Sequence, residues 1–305
     1  MDLIDISRLE ERRRAICARD IADSVLEIAG GQGFALRGKP GSWINYAVGF
    51  GLAEPGVPAP SAAGCHATWP TPVPREELQR IIAWYESAGI EPRFEVSPLA
   101  DVRIFRDLAD LGCGVRDFTN AMYRQVSLAH PARPASEPPR DLQIRVIDPA
   151  NDAQVRAYSI VAVSGFKPAG VAPTEDEIAF SARVIRGPRT LAMGAYMPDG
   201  PREQLVGAGA LLLTSPGDGE PFTTLGGCAS LMGLSVLPAF RQRGIQQALI
   251  AARLNAAAER RVCVATIGSR PGAGTERNAI RMNFQLAYTK LILTRPGPGL
   301  VAVPG

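Results

Sequence analysis

The sequence predicts an α/β fold of the α+β kind, in which a mixed, mostly antiparallel sheet is flanked by helices. In the second half of the chain, residues 190–196 and 205–214 are apolar runs joined by a Pro-Asp-Gly turn, a hairpin signal. Residues 230–258 then indicate a strand, a sharp turn at Pro238 and a helix, because proline cannot continue a β-ladder. We therefore expect an antiparallel meander that leads into a strand–helix–strand unit.

The length of the chain predicts two domains. It has 305 residues, whereas single domains cluster at about 100 to 150 residues. Residues 131–140 are rich in proline and poor in apolar side chains, so they are predicted to form an extended linker that packs no core. The predicted domains are residues 1–130 and 141–305.

The remaining elements follow from apolar periodicity and from helix and turn signals. In the first half, helices are predicted at residues 10–30, 76–88 and 101–111. Strands alternate with them, at residues 42–51, at residues 93–97 and in a last run that ends near Val126. The second half adds a strand at 142–147, a helix at 149–163, and a helix that Thr174 starts by a capping box with Glu177. The order strand, helix, strand recurs at residues 262–267, 275–282 and 285–294, which predicts an internal repeat.

Composition excludes several classes of function. The net charge of +3 is too small to predict a nucleic-acid or membrane partner through a bulk field. No apolar run approaches the roughly 20 residues of a membrane span, and the first residues lack the pattern of a signal peptide, so we expect a cytoplasmic protein. The 5 cysteines, Cys17, Cys65, Cys113, Cys228 and Cys263, form no C-x-x-C pair. They predict small buried side chains and no metal site, and the neighbours Cys65 and His66 receive little weight as a catalytic pair.

The turn after Pro238 predicts an anion site. Residues 245–256 place an apolar stripe on one helix face, so Arg241, Gln242, Arg243 and Gly244 precede a helix whose first residues are Ile245, Gln246 and Gln247. The first turn of a helix presents unpaired N–H groups and the positive end of the helix dipole. Such a site favours phosphate, which the two arginines can contact in a bidentate way. An ordinary strand-to-helix turn with solvated arginines is the alternative.

The pattern Val-x-Pro-x-x-Arg-x-x-Gly-Ile-x-x-Ala-Leu, from Val236 to Leu249, resembles the acyl-coenzyme A motif of the GCN5-related N-acetyltransferases (GNAT). The resemblance extends over about residues 141–295. It implies acetyl-CoA as cofactor, with its pyrophosphate on the loop amides. It also implies that the pantetheine arm pairs with strand backbone, at Leu234, Ser235, Val236 and Leu237. One departure is Gln246, where the family usually has glycine or alanine.

The resemblance extends to the last helix, where an asparagine commonly touches the cofactor arm. Asn278 and Arg281 are the candidates here, with an ordinary surface helix as the alternative, and Asn283 stands where a glycine usually ends the helix. Many family members use a tyrosine of this helix as the acid, but Ala279 occupies that position. Tyr288 on the next strand is a weak substitute, and a core role is the stronger interpretation for it.

The first domain contains no Arg-x-x-Gly-x-Gly loop, so it is predicted to be a degenerate copy of the same fold, giving a tandem GNAT-like architecture. It would bind no cofactor and could line the acceptor site with Trp43, Asn45 and Tyr46. Core packing is the stronger expectation for Trp43.

The predicted function is acetyl-CoA-dependent N-acetylation of a small-molecule or peptide amine of unspecified identity. The alternative is a non-catalytic acyl-CoA sensor or partner-binding protein, which Gln246 and the missing helix tyrosine favour. A nucleotide-phosphate site is less favoured because no Gly-Lys-Ser/Thr follows the glycine. These observations leave the oligomeric state open.

Overall fold

The computed structural model describes residues 3–50, 72–168, 170–214 and 227–302. These residues form one mixed sheet of 11 strands. Helices pack on both of its faces. The predicted fold class, a mixed and mostly antiparallel sheet with flanking helices, is confirmed.

The N-terminal half contains α1 Leu3–Ile21, β1 Ser24–Ile28, β2 Gly31–Ala35, β3 Tyr46–Val48, α2 Arg75–Glu86, β4 Arg93–Val96, α3 Arg103–Asp110 and β5 Gly114–Gln125. The prediction of one helix over residues 10–30 is wrong in its second half. The helix ends at Ile21, and residues 24–28 pair with β2 as a hairpin. Gly30 has a φ of +79°, so it turns this hairpin instead of ending a helix. The predicted strand at 42–51 is also shorter, since β3 has 3 residues.

The C-terminal half contains β6 Gln143–Val146, α4 Asp152–Ser164, α5 Glu175–Ile185, β7 Thr190–Asp199, β8 Arg202–Thr214, β9 Gly227–Val236, α6 Ile245–Glu259, β10 Val262–Ser269, α7 Gly274–Arg281 and β11 Gln285–Thr294. The capping box of Thr174 and Glu177 is present in both directions. Each element predicted for this half is confirmed.

The two halves exchange their last strands. The strand order is β1-β2-β3-β4-β11-β5-β10-β9-β8-β7-β6. β5 therefore lies between β10 and β11, and β11 lies between β4 and β5. Each half also has one parallel pair, β3 with β4 and β9 with β10. The halves thus share one sheet, and their limits as domains stay a prediction.

The order strand, helix, strand recurs as predicted, in β4–α3–β5 and in β10–α7–β11, and α3 and α7 end in the same way. Gly112 follows α3 with a φ of +84°, and Asn283 follows α7 with a φ of +60°. After each of them, the next amide bonds back to an equivalent carbonyl: Cys113 N to Leu108 O at 2.9 Å and Phe284 N to Ala279 O at 3.0 Å. Asparagine tolerates the left-handed conformation that glycine usually adopts at this position, as the sequence predicted.

Helix α1 joins the two halves through buried polar contacts. Glu10 accepts a hydrogen bond from Thr266 Oγ1 in β10 at 2.5 Å. Glu11 accepts one from the Tyr288 hydroxyl at 2.9 Å and pairs with Lys290 at 2.5 Å, both in β11. The first helix of the chain is therefore anchored in strands from its last 50 or so residues.

Two further predictions concern the cysteines and membrane spans. Cys17, Cys113 and Cys228 are buried, which confirms the expected burial for these three, and Cys263 is half-buried. Cys65 and His66 lie outside the described residues. None of the helices in the described ranges has the length and apolar character that a bilayer span needs.

Candidate cofactor site

Strands β9 and β10 separate at a defined point. Their parallel register runs through Thr266 opposite Ser230 and ends at Ile267 opposite Leu231. Strand β9 continues to Val236 and β10 to Ser269. An opening between the two strands therefore begins at Met232, and we call this gap the opening.

A β-bulge in β9 lies at the start of the opening. In the antiparallel pair with β8, Ala210 faces Met232 and Ala208 faces Ser235. Gly233 and Leu234 thus stand opposite the single residue Gly209, and Gly233 has a φ of +60°. A bulge leaves its extra residue outside the ladder and re-aims the backbone, and bulges are frequent next to active sites.

The backbone of β9 beyond the bulge has two edges. The amide of Leu237 donates to Val206 O in β8 at 2.9 Å, whereas Val236 O accepts from Arg241 Nε at 3.0 Å. Along an antiparallel strand, successive residues direct their N–H and C=O groups to opposite edges. The N–H and C=O groups of Val236 and Leu234 therefore point away from β8, toward the opening. The buried Ser235 hydroxyl donates to Val161 O in α4 at 2.8 Å and so holds the strand against that helix. The residues predicted to pair with pantetheine therefore divide into two that face the opening and two that face β8.

Residues 241–244 connect the opening to α6, and we call them the phosphate loop after the anion site that the sequence predicts there. Gln242 and Gly244 are left-handed, with φ values of +63° and +75°. Gly244 is the N-cap of α6 and supplies no side chain to its free amides. Arg241, Gln242 and Arg243 are exposed, and the Arg243 guanidinium lies 5.3 Å from the centre of the Phe240 ring. The helix start thus has free donors and adjacent positive charge.

Three predicted site residues contact one another beside the loop. Asn278 Nδ2 donates to Gln246 Oε1 at 2.7 Å, and Arg281 Nη1 donates to Asn278 Oδ1 at 3.4 Å. The first turn of α6 is thereby joined to α7. The side chain of Gln246, the departure from the family pattern, is engaged with α7.

The linker, residues 131–140, packs along α6. Gln247 Oε1 accepts from the Ser136 amide at 3.0 Å and from its hydroxyl at 3.1 Å. Asn255, two turns further on, accepts from the Ala132 amide at 2.7 Å and donates to Ala132 O at 3.1 Å. The sequence predicted a linker that packs no core, but Ala132 lies in the core cluster that includes α6, and two polar residues of α6 bind the linker backbone. Their presence in an alanine-rich helix is the sequence signal that could have revealed this contact.

The linker also reaches the phosphate loop. A Cβ atom on Gly244 would lie 3.2 Å from Ser136 Oγ and 3.3 Å from Glu137 O, so this position requires glycine for space as well as for its φ. A cavity of about 460 Å³ separates the two segments and is lined by linker residues 136–140 and by Gln242, Arg243 and Gly244. Arg140 thus adds a third arginine to those near the helix start.

Tyr288 lies in the buried contacts of α1. Its side chain is 5% exposed, and its hydroxyl donates to Glu11. Burial, followed by the negative charges of Glu11 and Glu10, holds the pKa of Tyr288 well above its usual range. The phenol is therefore neutral and engaged, and its role as the acid stays a prediction.

The three residues proposed to line an acceptor wall have different surroundings. Asn45 is fully buried. Its Oδ1 accepts a hydrogen bond from the Leu36 backbone amide at 2.7 Å, and its Nδ2 donates to the Lys39 and Pro40 carbonyls. Tyr46 is buried under the Arg14 guanidinium, and burial raises its pKa to about 12. Trp43, expected in the core, is instead 42% exposed and packs edge-on against Phe180 of α5 at 6.0 Å. Trp43 is the member of this set with accessible surface.

Comparison with known proteins shows similarity at the level of structure. No protein-family model matches the sequence, and no curated protein matches it. A GCN5-related N-acetyltransferase from Kribbella flavida matches with a TM-score of 0.63 at 16% identity, over 98% of each chain. One from Sphaerobacter thermophilus matches with a TM-score of 0.57 at 16% identity, over 98% of this chain and 94% of the other.

A tandem GNAT protein from the clavulanic acid biosynthesis pathway also matches, with a TM-score of 0.55 at 10% identity, over 95% of this chain and 92% of the other. At these identities the likeness concerns the fold. The chain has the GCN5-related N-acetyltransferase fold in a tandem arrangement of two halves.

Proposed function

We propose that the C-terminal half binds acetyl-CoA and transfers its acetyl group to an amine. The observation that supports this most directly is the continuous path formed by the opening and the phosphate loop. The bulge, the strand edge beyond it and the free helix amides follow one another along residues 232–246. A long cofactor with an anionic end and an amide-containing arm matches that order of donors.

In this proposal each segment of the cofactor has its own partner. The pyrophosphate binds the free amides at the start of α6, supported by Arg241 and Arg243. The pantetheine arm adds to the edge of β9 that faces the opening, at Leu234 and Val236, as a short extra strand would. Gln246 and Asn278 stand beside the arm, already bonded to each other at 2.7 Å.

The chemistry relies on positioning and on backbone donors. Acetyl transfer needs a neutral amine held against the thioester carbon and donors for the oxygen that becomes negative. The bulge at Gly233 and Leu234 offers N–H groups beside the opening. Between Leu225 and Pro238 the sequence has no aspartate or glutamate, so no carboxylate of this strand acts as a general base.

Calorimetric titration of coenzyme A tests the cofactor assignment. Arg241→Ala removes a charge-assisted contact, and we expect about tenfold weaker binding. Arg260→Ala is the matched control, because Arg260 follows the far end of α6 and bonds Ala256 O. Equal affinities for wild type and Arg241→Ala would contradict the assignment.

A non-catalytic acyl-CoA sensor is the second candidate. It is favoured by Ala279 in place of the helix tyrosine and by the engaged hydroxyl of Tyr288. Thiol release from acetyl-CoA, measured over a panel of small amines and peptides, separates the two. Turnover above the rate without acceptor supports the enzyme; tight binding without turnover on any acceptor supports the sensor.

A further inference from the structure

Arg253 is a fully buried cation in the middle of α6. Its side chain is 0% exposed. Nη1 donates to Ala210 O in β8 at 3.0 Å and to Met232 O in β9 at 3.2 Å, and Nε donates to Leu249 O in its own helix at 3.1 Å. The guanidinium therefore lies between β8 and β9, at the bulge.

No carboxylate among the described residues pairs with this charge. Nη2 has no hydrogen-bond partner in that part of the chain. Burial lowers the pKa of Arg253 to about 10, with the phenol of Tyr158 opposing this, so the group remains a cation at neutral pH. Retaining an unpaired charge in a core is unfavourable, and a neutral side chain of similar size could fill the space.

The backbone is shaped around this arginine. A Cβ atom on Gly209 would lie 3.0 Å from the Arg253 guanidinium carbon, so the bulge position opposite Gly233 leaves room for the charge. Met232, whose carbonyl it binds, is the first residue beyond the last β9–β10 pair. The cation is thus positioned at the point where the opening begins.

The peptide between Met232 and Gly233 connects the cation to the opening. In a trans peptide the C=O and the N–H point in opposite directions. Since the Met232 carbonyl points toward β8 and Arg253, the Gly233 N–H points toward the opening. A carbonyl that accepts a bond from a cation makes the N–H of the same peptide a stronger donor, because hydrogen bonds polarise one another in a low dielectric.

We propose that Arg253 is a positioning residue for acyl transfer, whose guanidinium polarises the Met232–Gly233 peptide and so strengthens the N–H that faces the thioester oxygen. This inference rests on the proposed function. In the reaction, the amine lone pair forms a C–N bond to the thioester carbon while the C=O electrons move to oxygen. When the C=O re-forms, the C–S bond breaks, the electron pair leaves with the thiolate, and the proton lost from nitrogen is taken up by that thiolate.

The test measures the carbonyl itself and needs no acceptor. Acetyl-CoA labelled with carbon-13 at the thioester carbonyl is bound to wild type, Arg253→Met, Arg253→Lys and the control Arg260→Met, and the carbonyl stretch is recorded by isotope-edited infrared spectroscopy. We expect a lower frequency in wild type than in water, a return toward the water value in Arg253→Met, and wild-type values in the lysine variant and the control. Coenzyme A affinity should change by less than about threefold in all of them, because the phosphate contacts are untouched.

The infrared band and the binding measurement together distinguish a failure of this inference from a failure of the proposed function. An unmoved band in Arg253→Met with normal coenzyme A binding overturns the inference and leaves Arg253 a structural residue that only lowers stability when replaced. If Arg253→Met does not fold, the wild-type band still decides, since a frequency at or above that in water overturns the inference. Absence of acetyl-CoA binding by wild type overturns the proposed function and this inference together, whereas binding with an unmoved band overturns the inference alone.

Discussion

In each half an equivalent helix connects the two strands of the parallel pair, α2 between β3 and β4 and α6 between β9 and β10, and the starts of those helices differ in charge. Helix α2 in the N-terminal half begins after Pro74 and has Glu76 and Glu77 in its first turn. Helix α6 begins after Gly244, has no acidic residue in its first turn, and follows the arginines of the phosphate loop. Acidic side chains stabilise a helix start and repel an anion from it. We therefore expect the charges at the helix start, and not the fold alone, to decide whether a phosphate binds there.

The two halves also differ in the region just beyond the paired part of their parallel strands. In the N-terminal half, Phe50 follows β3 and is 2% exposed. Its ring packs on Phe94 of β4 at 5.7 Å, and a Cβ atom on Gly31 would lie 2.5 Å from it. In the C-terminal half β9 continues past its last pairing with β10 and leaves the opening. The N-terminal half fills this region with core side chains, whereas the C-terminal half leaves it open, and the proposed cofactor arm would lie there.

The largest effect is expected from low pH on the free energy of unfolding. Acid unfolding also tests whether the two halves unfold independently. Burial raises the pKa of Glu10, but the cations near it, first Arg13, outweigh burial and hold that pKa at about 2. Glu95 behaves alike, with Arg14 as its main cation, and its pKa is also about 2. Both lie below the ordinary value, so their stabilisation is complete above about pH 4.5 and is lost as the pH falls toward 2. Each contributes roughly 3 kcal/mol to the free energy of unfolding.

Urea unfolding at pH 7 and pH 3, followed by circular dichroism and tryptophan fluorescence, measures this loss. Because Glu10 in α1 bonds Thr266 in β10, both probes should report one transition at each pH. Glu203→Gln is the control, since the exposed pair of Glu203 and Arg145 contributes about 1 kcal/mol or less. Two separate transitions would break the view of the halves as one shared sheet.

Gly244→Asp should have the next largest effect. Aspartate places a Cβ against Ser136, requires a left-handed φ of +75° and adds negative charge at the helix start. We expect coenzyme A binding to weaken about 100-fold, measured calorimetrically. Gly49→Asp is matched to it in the other half, with a φ of +85° and no neighbour within 4 Å, and should leave binding unchanged. A comparable loss in Gly49→Asp would place a cofactor site in the N-terminal half.

The sequence predicted the C-terminal half well because its signals are local. Pro238, Gly244, the apolar stripe of α6 and the capping box at Thr174 each depend on neighbours within a few positions. Asn283 was recognised for the same reason, since a helix end is decided within one turn. The N-terminal hairpin was missed because Val25, Leu26 and Ile28 suit either a helix face or a strand, and pairing with β2 decides between them.

Long-range features had no local signal. The exchange of β5 and β11 depends on which strand edges meet, and the anchoring of α1 depends on Thr266 and Lys290, more than 250 residues away. The role of Arg253 follows from a bulge in another strand. Only its presence among alanines and leucines of α6 could have drawn attention to it, because arginine is seldom buried without a carboxylate partner.

The linker contact should matter less than the loop itself. Gln247→Leu removes both hydrogen bonds to Ser136, so the linker and Arg140 are released from the phosphate loop. We expect coenzyme A affinity to fall about fivefold. Asn255→Leu removes the two bonds to Ala132 at the other end of the linker; it should lower stability similarly while changing affinity less than about twofold. Equal losses of affinity in both variants would mean that the linker acts as a whole and not through the loop.

The smallest effect is expected at Gln246, where the family pattern has a small residue. Its side chain bonds Asn278 at 2.7 Å and so is held against α7. Gln246→Ala and Asn278→Ala remove the same bond, and each should lower the free energy of unfolding by about 1 kcal/mol. If the pair only joins the two helices, both variants bind coenzyme A within about threefold of wild type. Weaker binding in Asn278→Ala alone would instead identify Asn278 as a direct contact of the cofactor arm. Weaker binding in Gln246→Ala alone would mean that the Gln246 side chain binds the pyrophosphate, the role proposed for the loop amides.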